Sequence, residues 1–420
     1  MKAVNVVNLE EMKRINQAIF LHTIFRKREI SRAQLAMFTG LGAATVSVLI
    51  QELLDMEMLV EVKEVKSTGH RENVPLQINP YGGYICTVNV TAQNITYALF
   101  NMQLEKLDEI IVRNSEETVL QQLFESLVSH IDRLLDKGRE VQEKLIGIAV
   151  SIPREQNPVG QKVLLDTGVS ADRMNLDMAL RFIYGKPIFI APAVHSRAIA
   201  EYYLGAAKNV EEFIFIDISE ELEMIVVQKG KVVNIPFWAE NDLKHIAIDR
   251  KGPKCSCGKQ GCLEAFLTTR SILERVKKSR TGQPETGICR IQDTNEQPID
   301  LEQINQWANE GDPSVQKIIM EAADALCIGI HHMISLIQIP NVVIAGKVSR
   351  IHLFFRTLSE VWANYTMFQN RFAYIHITFL AQEEVSLGSG AMVLNHYLET
   401  DFIKNKFMSS DNVERKYGYQ

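Results

Sequence analysis

A series of strands and helices that occurs twice constrains this chain more than any other feature. From residue 84, "YICTVNVT", "ITYALFNM" and "DEIIVRN" read as three consecutive strands, followed by a long amphipathic helix around "LQQLFESLVSHIDRLLDK". "LIGIAVSI" and "PIFIAPA" then read as buried strands, because their apolar runs are uninterrupted. A second series opens with "EFIFIDIS", "EMIVVQKG" and "KVVNIPF", passes a cysteine-rich loop and several helices, and reaches "NVVIAG" and "IHITFL". Two such series imply two α/β lobes, and 420 residues are enough for both and a further small domain.

The stretch before residue 80 has a different period. "NLEEMKRINQAIFLHTIFRKRE" places Ile15, Ala18, Ile19, Leu21, Ile24 and Phe25 at helical spacing and ends in a basic run. In "SRAQLAMFTG", Ser31 and Gln34 have capping-box spacing, and Gly40 can turn the chain. "LGAATVSVLIQELLDMEMLV" puts Val46, Leu49, Ile50 and Leu53 on one face and leaves Ala44, Thr45, Ser47, Val48 and Gln51 on the other. Two strand-like runs around Gly69 follow, so the order is that of a winged helix-turn-helix. The same elements also suit a small helical domain without a DNA role. Arg26, Lys27, Arg28 and Arg32 crowd one junction and Arg71 stands at the wing tip, where they would meet phosphates and a minor groove.

Net charge is −6, which argues against a chain-wide polyanion-binding surface and leaves any nucleic-acid site local. No secretory leader pattern opens the sequence and no segment has the length of uncharged apolar chain that a membrane span needs, so the expectation is a cytoplasmic protein with no membrane partner. Of six cysteines, Cys86, Cys289 and Cys327 are scattered, while Cys255, Cys257 and Cys262 stand in "GPKCSCGKQGCLE". Two thiolates on one tight loop, a third returning after glycines, and a histidine from a preceding segment make a tetrahedral set suited to zinc. Four protein ligands leave no open position for an activated water, so the expected role is structural. Buried free thiols, the alternative, do not explain the glycine-separated spacing.

That cysteine signature, with a histidine ten residues earlier, resembles the ROK family of bacterial sugar kinases and sugar-responsive repressors. "LGAATVSVLIQELLDMEMLV" is similar to its recognition-helix segment, "LIGIAVSIP" to a first-lobe strand, "AEYYLGAAK" to the interlobe helix and "GSGAMVL" to the terminal helix. The resemblance implies a winged helix over 1–80, then a two-lobed actin-like ATPase (RNase H-like) domain, with 81–195 plus 385–420 as first lobe and 196–384 as second. It implies zinc ligands His245, Cys255, Cys257 and Cys262. Against the kinases the chain departs at three places. Ala193 stands at the catalytic base and Pro192 at a sugar-binding asparagine; "SEELE", with Glu220, Glu221 and Glu223, replaces a glycine-rich phosphate turn; Asn89 replaces a metal-side aspartate. No catalytic residue is therefore expected, and His195, beside this cleft, reads as structural.

The family's sugar-gripping residues carry over as Asp242, His245 and Glu264, with Lys244 where a glycine precedes the histidine. The implied protein is a repressor of carbohydrate genes, acting as a homodimer or homotetramer on a double-stranded DNA operator. Thr45, Ser47 and Gln51 would be nearest base edges, Arg32 on phosphate and Arg71 at the minor groove. Its control would come from a sugar or sugar phosphate between the lobes, or from a transport-system protein.

Overall fold

The structure, a computed structural model, describes residues 9–62, 74–91, 93–114, 120–152, 164–165, 174–233, 243–281, 299–367, 374–378 and 385–398. The chain divides into two units, the first taking the described residues up to Ala200 and from Val385 onward, the second those from Glu201 to Thr378.

At the head of the first unit stand α1 (Leu9–Lys27), α2 (Arg32–Thr39) and α3 (Ala43–Asp55). α1 buries Ala18, Phe20, Leu21, Ile24 and Phe25. Ile15 and Ile19, expected on that stripe, are instead 39% and 45% exposed, and the polar Arg14 and Gln17 turn inward. Gln17 is held there by α3, its Nε2 donating to Glu52 Oε2 at 2.8 Å, while Lys13 Nζ lies 2.7 Å from Glu52 Oε1. Ser31 and Gln34 form the reciprocal capping box of α2, and Gly40 ends the helix in the left-handed region at φ 70°. The next helix then turns away by 119°, an angle suited to a helix-turn-helix. α3 buries Val46, Leu49, Ile50 and Leu53 and exposes the opposite face. β1 (Leu59–Glu61) pairs antiparallel with β2 (Leu76–Ile78), Leu59 facing Ile78. The wing tip expected between them, with Arg71, lies outside the described residues.

The rest of the first unit is built on a sheet of order β5-β4-β3-β6-β9. β3 (Tyr84–Val90), β4 (Asn94–Asn101) and β5 (Lys106–Arg113) are an antiparallel meander; β6 (Leu145–Ile152) runs parallel to β3 and β9 (Ile188–Pro192) parallel to β6. Between them come α4 (Leu120–Leu135), α5 (Arg139–Glu143), the short pair β7 (Leu164–Leu165) and β8 (Met174–Asn175), and α6 (Leu176–Tyr184). Leu127, Ile131 and Leu134 of α4 and Leu180 of α6 share a core with Cys86, Val88 and Ile148.

α7 (Ala193–Tyr203) and α13 (Val385–His396) complete the unit. α13 lies against the sheet's other face, since a Cβ on Gly390 would sit 3.7 Å from Thr87 Cγ2 and 3.9 Å from Ile85 Cγ2. It crosses α7 where a Cβ on Gly388 would come within 1.8 Å of the Ser196 carbonyl oxygen, so only glycine fits. Ser151, Ser196 and Ser389 close a buried triangle of hydroxyls at 2.8–2.9 Å that ties β6, α7 and α13 together. The division between units falls within α7, after Ala200; the expected boundary, after His195, lies in the same helix.

The second unit repeats the plan with a sheet of order β12-β11-β10-β13-β14. β10 (Glu212–Ile218) and β11 (Leu222–Gln228) are antiparallel, β12 (Lys231–Val232) extends the meander, and β13 (Asn341–Ala345) and β14 (Tyr374–Ile377) run parallel to β10. Its helices are α8 (Leu263–Leu267), α9 (Thr269–Thr281), α10 (Leu301–Glu310), α11 (Pro313–Ile337) and α12 (His352–Met367). Among the described residues α11 alone is long and apolar enough to cross a membrane; here Val315, Ile319, Ala322, Leu326 and Ile330 supply the unit's core.

Candidate metal centre and nucleic-acid face

The cysteine loop is folded by its own backbone. Cys255 N–H donates to the Lys259 carbonyl at 2.8 Å and Gly258 N–H to the Cys255 carbonyl at 3.0 Å, closing the Cys-x-Cys turn. Gly261, at φ 69°, lets the chain double back: a Cβ there would lie 1.4 Å from the Asp249 carbonyl oxygen. Ile248 N–H then donates to the Gly261 carbonyl, and Leu263 N–H to that of Ile246, which brings His245 beside the sulfurs.

His245, Cys255, Cys257 and Cys262 offer four ligand atoms within 4.8 Å of one another. Tetrahedral bonds of about 2.3 Å to sulfur and about 2.0 Å to nitrogen require S···S edges of about 3.8 Å and S···N edges of about 3.5 Å. Cys257 Sγ and Cys262 Sγ are 3.7 Å apart, and Cys255 Sγ is 3.4 Å from His245 Nδ1. The set could therefore hold a tetrahedral ion, with Nδ1 as the histidine ligand and Nε2 left as a donor for other groups. Burial pushes the Cys262 thiol up to about 12 and raises Cys255 as well. Burial also opposes ionisation of Cys257, but the Lys259 N–H and the neighbouring sulfurs lower it overall. An ion bound here displaces protons from thiols that otherwise hold them.

Glu264, at the start of α8, is buried against this cluster: its Oε2 accepts from Ser256 Oγ at 3.3 Å and lies 3.6 Å from both Cys255 Sγ and His245 Nδ1. Its Oε1 is 3.3 Å from Lys244 Nζ, which also reaches Glu221 Oε2 at 3.5 Å on the β10–β11 turn. Glu220 on that turn pairs with Lys347 at 3.0 Å. The pairing of Lys244 with Glu264 was not foreseen from the sequence; its signal was the lysine in place of glycine before the histidine. Asp242, expected to join His245 and Glu264, lies outside the described residues. In the first unit, Pro192 ends β9 and Ala193 opens α7, so neither position carries an ionisable group. His195 is buried within that helix.

On the head, Thr45, Ser47 and Gln51 are exposed on α3, with Gln51 Nε2 donating to Asp55 Oδ1 at 2.9 Å. Ala44 and Ser47 leave that face low, a shape that suits close approach to a groove. Arg32, expected on phosphate, is paired with an acidic residue of the head. Its side chain is only 12% exposed and its Nη2 lies 2.6 Å from Glu61 Oε1, so it ties α2 to β1. Arg28, from the same basic junction, is half-buried, its Nη1 donating to the Gln103 carbonyl at 2.9 Å.

The model of the ROK family matches residues 85–396, a stretch holding both five-stranded sheets and the cysteine loop. The chain is 24% identical to the xylose repressor of Bacillus subtilis over 392 residues, 92% of this chain and 97% of that protein. A solved ROK family transcriptional regulator, described as a homolog of E. coli MLC protein, superposes with a TM-score of 0.70 at 21% identity, covering 94% of this chain and 99% of that one. The ROK hexokinase from Thermus thermophilus superposes at 0.58 with 20% identity, covering 97% of its own chain but 73% of this one. The solved structures share the fold, the family match spans most of the sequence, and this chain belongs to the ROK family.

Proposed function

We propose that this protein is a DNA-binding transcriptional repressor of carbohydrate genes, responsive to a sugar-like effector. One observation carries the reading: the likeness to a xylose repressor spans 92% of this chain, more than the ROK stretch alone, whereas the hexokinase structure spans 73%. What the kinase lacks and the repressor has is length enough for a helix-turn-helix head. Thr45, Ser47 and Gln51 on the exposed face of α3 are the candidates for base contacts, and Arg71 for the minor groove. Two heads of a homodimer or homotetramer would read a pseudo-palindrome.

Further support comes from the kinase positions. Ala193 and Pro192 can neither accept a proton nor grip a hydroxyl, and Glu220 and Glu221 would set like charge against a nucleotide's phosphates. The metal is zinc with a structural role, since three sulfurs and one nitrogen fill its coordination. Through Nδ1 it fixes the His245 ring, so that Nε2 and the Glu264 carboxylate form the remaining polar face toward an effector. A transport-system protein is the alternative effector, and the cytoplasm the expected compartment.

Electrophoretic titration of zinc-loaded protein with the promoter fragments beside its own gene, at low salt, tests the reading. Specific retardation of one fragment is the expected result. No retardation at any fragment, together with ATP-dependent turnover in a coupled assay over a sugar panel, would replace the repressor with a kinase.

A further inference from the structure

The chain between the head and the first sheet is short, and a short linker alone leaves a head free to swivel. Contacts around it remove that freedom. The tip of the β4–β5 hairpin, Met102 to Leu104, reaches the head at several points. The Gln103 carbonyl accepts from Arg28 Nη1 at 2.9 Å, in the turn between α1 and α2, and Gln103 Nε2 donates to the Ile78 carbonyl of β2 at 2.7 Å. Met102 N–H donates to the Pro80 carbonyl at 3.1 Å, and its sulfur packs so close to the linker that a Cβ on Gly82 would lie 3.1 Å away. From the sheet, Lys144 Nζ donates to the Tyr81 carbonyl at 3.2 Å.

The hairpin tip is itself held from both sides. Asn101 Oδ1 accepts from the N–H groups of Gln103 and Glu105 at 2.9 and 3.0 Å, and its Nδ2 donates to Glu105 Oε2 at 2.7 Å, so the turn has one shape. Leu104, 4% exposed, plugs against α13, where a Cβ on Gly390 would lie 3.2 Å from its Cδ2. Arg28 adopts φ 67°, unfavourable for a side chain with a Cβ, and the bond to Gln103 helps hold it there. A half-buried basic residue between α1 and α2 thus reaches the hairpin of the first sheet.

We propose that the β4–β5 hairpin tip positions the DNA-binding head, with Gln103 and Arg28 as the positioning residues that make head and first sheet one rigid body. The inference rests on the repressor reading for its consequence, since a fixed head fixes the half-site spacing a dimer accepts. Neither residue lies on the exposed face of α3, so their loss leaves base contacts intact.

The test uses the full chain and two variants, Gln103→Ala and Arg28→Met, with two readouts. Without DNA, hydrogen exchange of the α1–α3 amides reports whether the head moves as part of the unit. With DNA, affinity is measured for a single half-site and for palindromes whose half-site spacing varies one base pair at a time. The wild type should favour one spacing by about tenfold or more, because binding at the second half-site depends on geometry. In each variant that preference should shrink to about threefold or less and head amides should exchange faster, while in Gln103→Ala single half-site affinity should stay unchanged. Variants that keep both the wild-type spacing preference and the wild-type exchange would overturn the proposal. A wild type that binds no DNA would instead sink the repressor reading, while exchange still decides whether the hairpin holds the head.

Discussion

The two units carry the same sheet twice and different chemistry at its edges. Both have an antiparallel meander joined to two parallel strands, in the same order. In the first, the positions that the family resemblance matches to kinase catalytic residues hold Asn89, Pro192 and Ala193, and the Ser151, Ser196 and Ser389 hydroxyls bond to one another. In the second, the β10–β11 turn and the cysteine loop gather Glu221, Lys244, Glu264 and a four-ligand metal set. Apolar alternation decides the sheet and is common to both. The residues in turns and loops decide the chemistry, and they have been free to diverge.

If the second unit depends on its loop and the first does not, Cys262→Ser should show it most strongly. If the cluster holds the proposed ion, losing this ligand candidate, buried at 0% exposure, should abolish stoichiometric metal and cost the second unit on the order of 3–5 kcal/mol, leaving the first unit's melting transition in place. Calorimetry with metal analysis checks this; a variant that keeps its full stability would reduce the cluster to an incidental feature.

Metal loading gives a second, smaller contrast. Cys255 is raised and Cys262 stands at about 12, so the thiols hold their protons at neutral pH and an ion must displace them. About two protons from this pair should be released per ion, and metal affinity should fall as pH is lowered. Titration in two buffers of different ionisation enthalpy measures the release, and a pH-independent affinity would mean that these sulfurs are not the ligands.

Lys244→Met tests the charge at the same loop. Glu264 would be left buried beside the sulfurs without its cation, which should cost about 1–2 kcal/mol in the second unit. The matching change in the first unit, Ser389→Ala, should cost less, about 1 kcal/mol, because Ser151 and Ser196 still bond to each other at 2.9 Å. Chemical denaturation ranks the two, and the reverse order would mean that the hydroxyl triangle, not the charged loop, is the more strained to lose.

Sequence periodicity revealed most of this architecture, since the buried strands "LIGIAVSI" and "EFIFIDIS" are uninterrupted apolar runs with no competing pattern. It misplaced Ile15 and Ile19, where α1 instead buries Gln17 to satisfy Glu52, a bond between residues far apart in the chain. Local spacing announced the cysteine set, because the ligands sit in one loop. Long-range pairing was not visible: nothing near Arg32 indicates Glu61, nothing near Arg28 indicates Gln103, and Lys244 meets Glu221 only through the fold.

The most direct test of the repressor function is footprinting of the full, zinc-loaded chain on the promoter fragments it retards, alongside a Ser47→Glu variant. Ser47 is exposed at the centre of the α3 face, so a carboxylate there should repel the phosphates without disturbing the fold. A protected pseudo-palindrome that the variant loses by about tenfold or more in affinity, with unchanged thermal stability, is the predicted result. Wild type and Ser47→Glu protecting the same site with equal affinity, or neither protecting any, would contradict it.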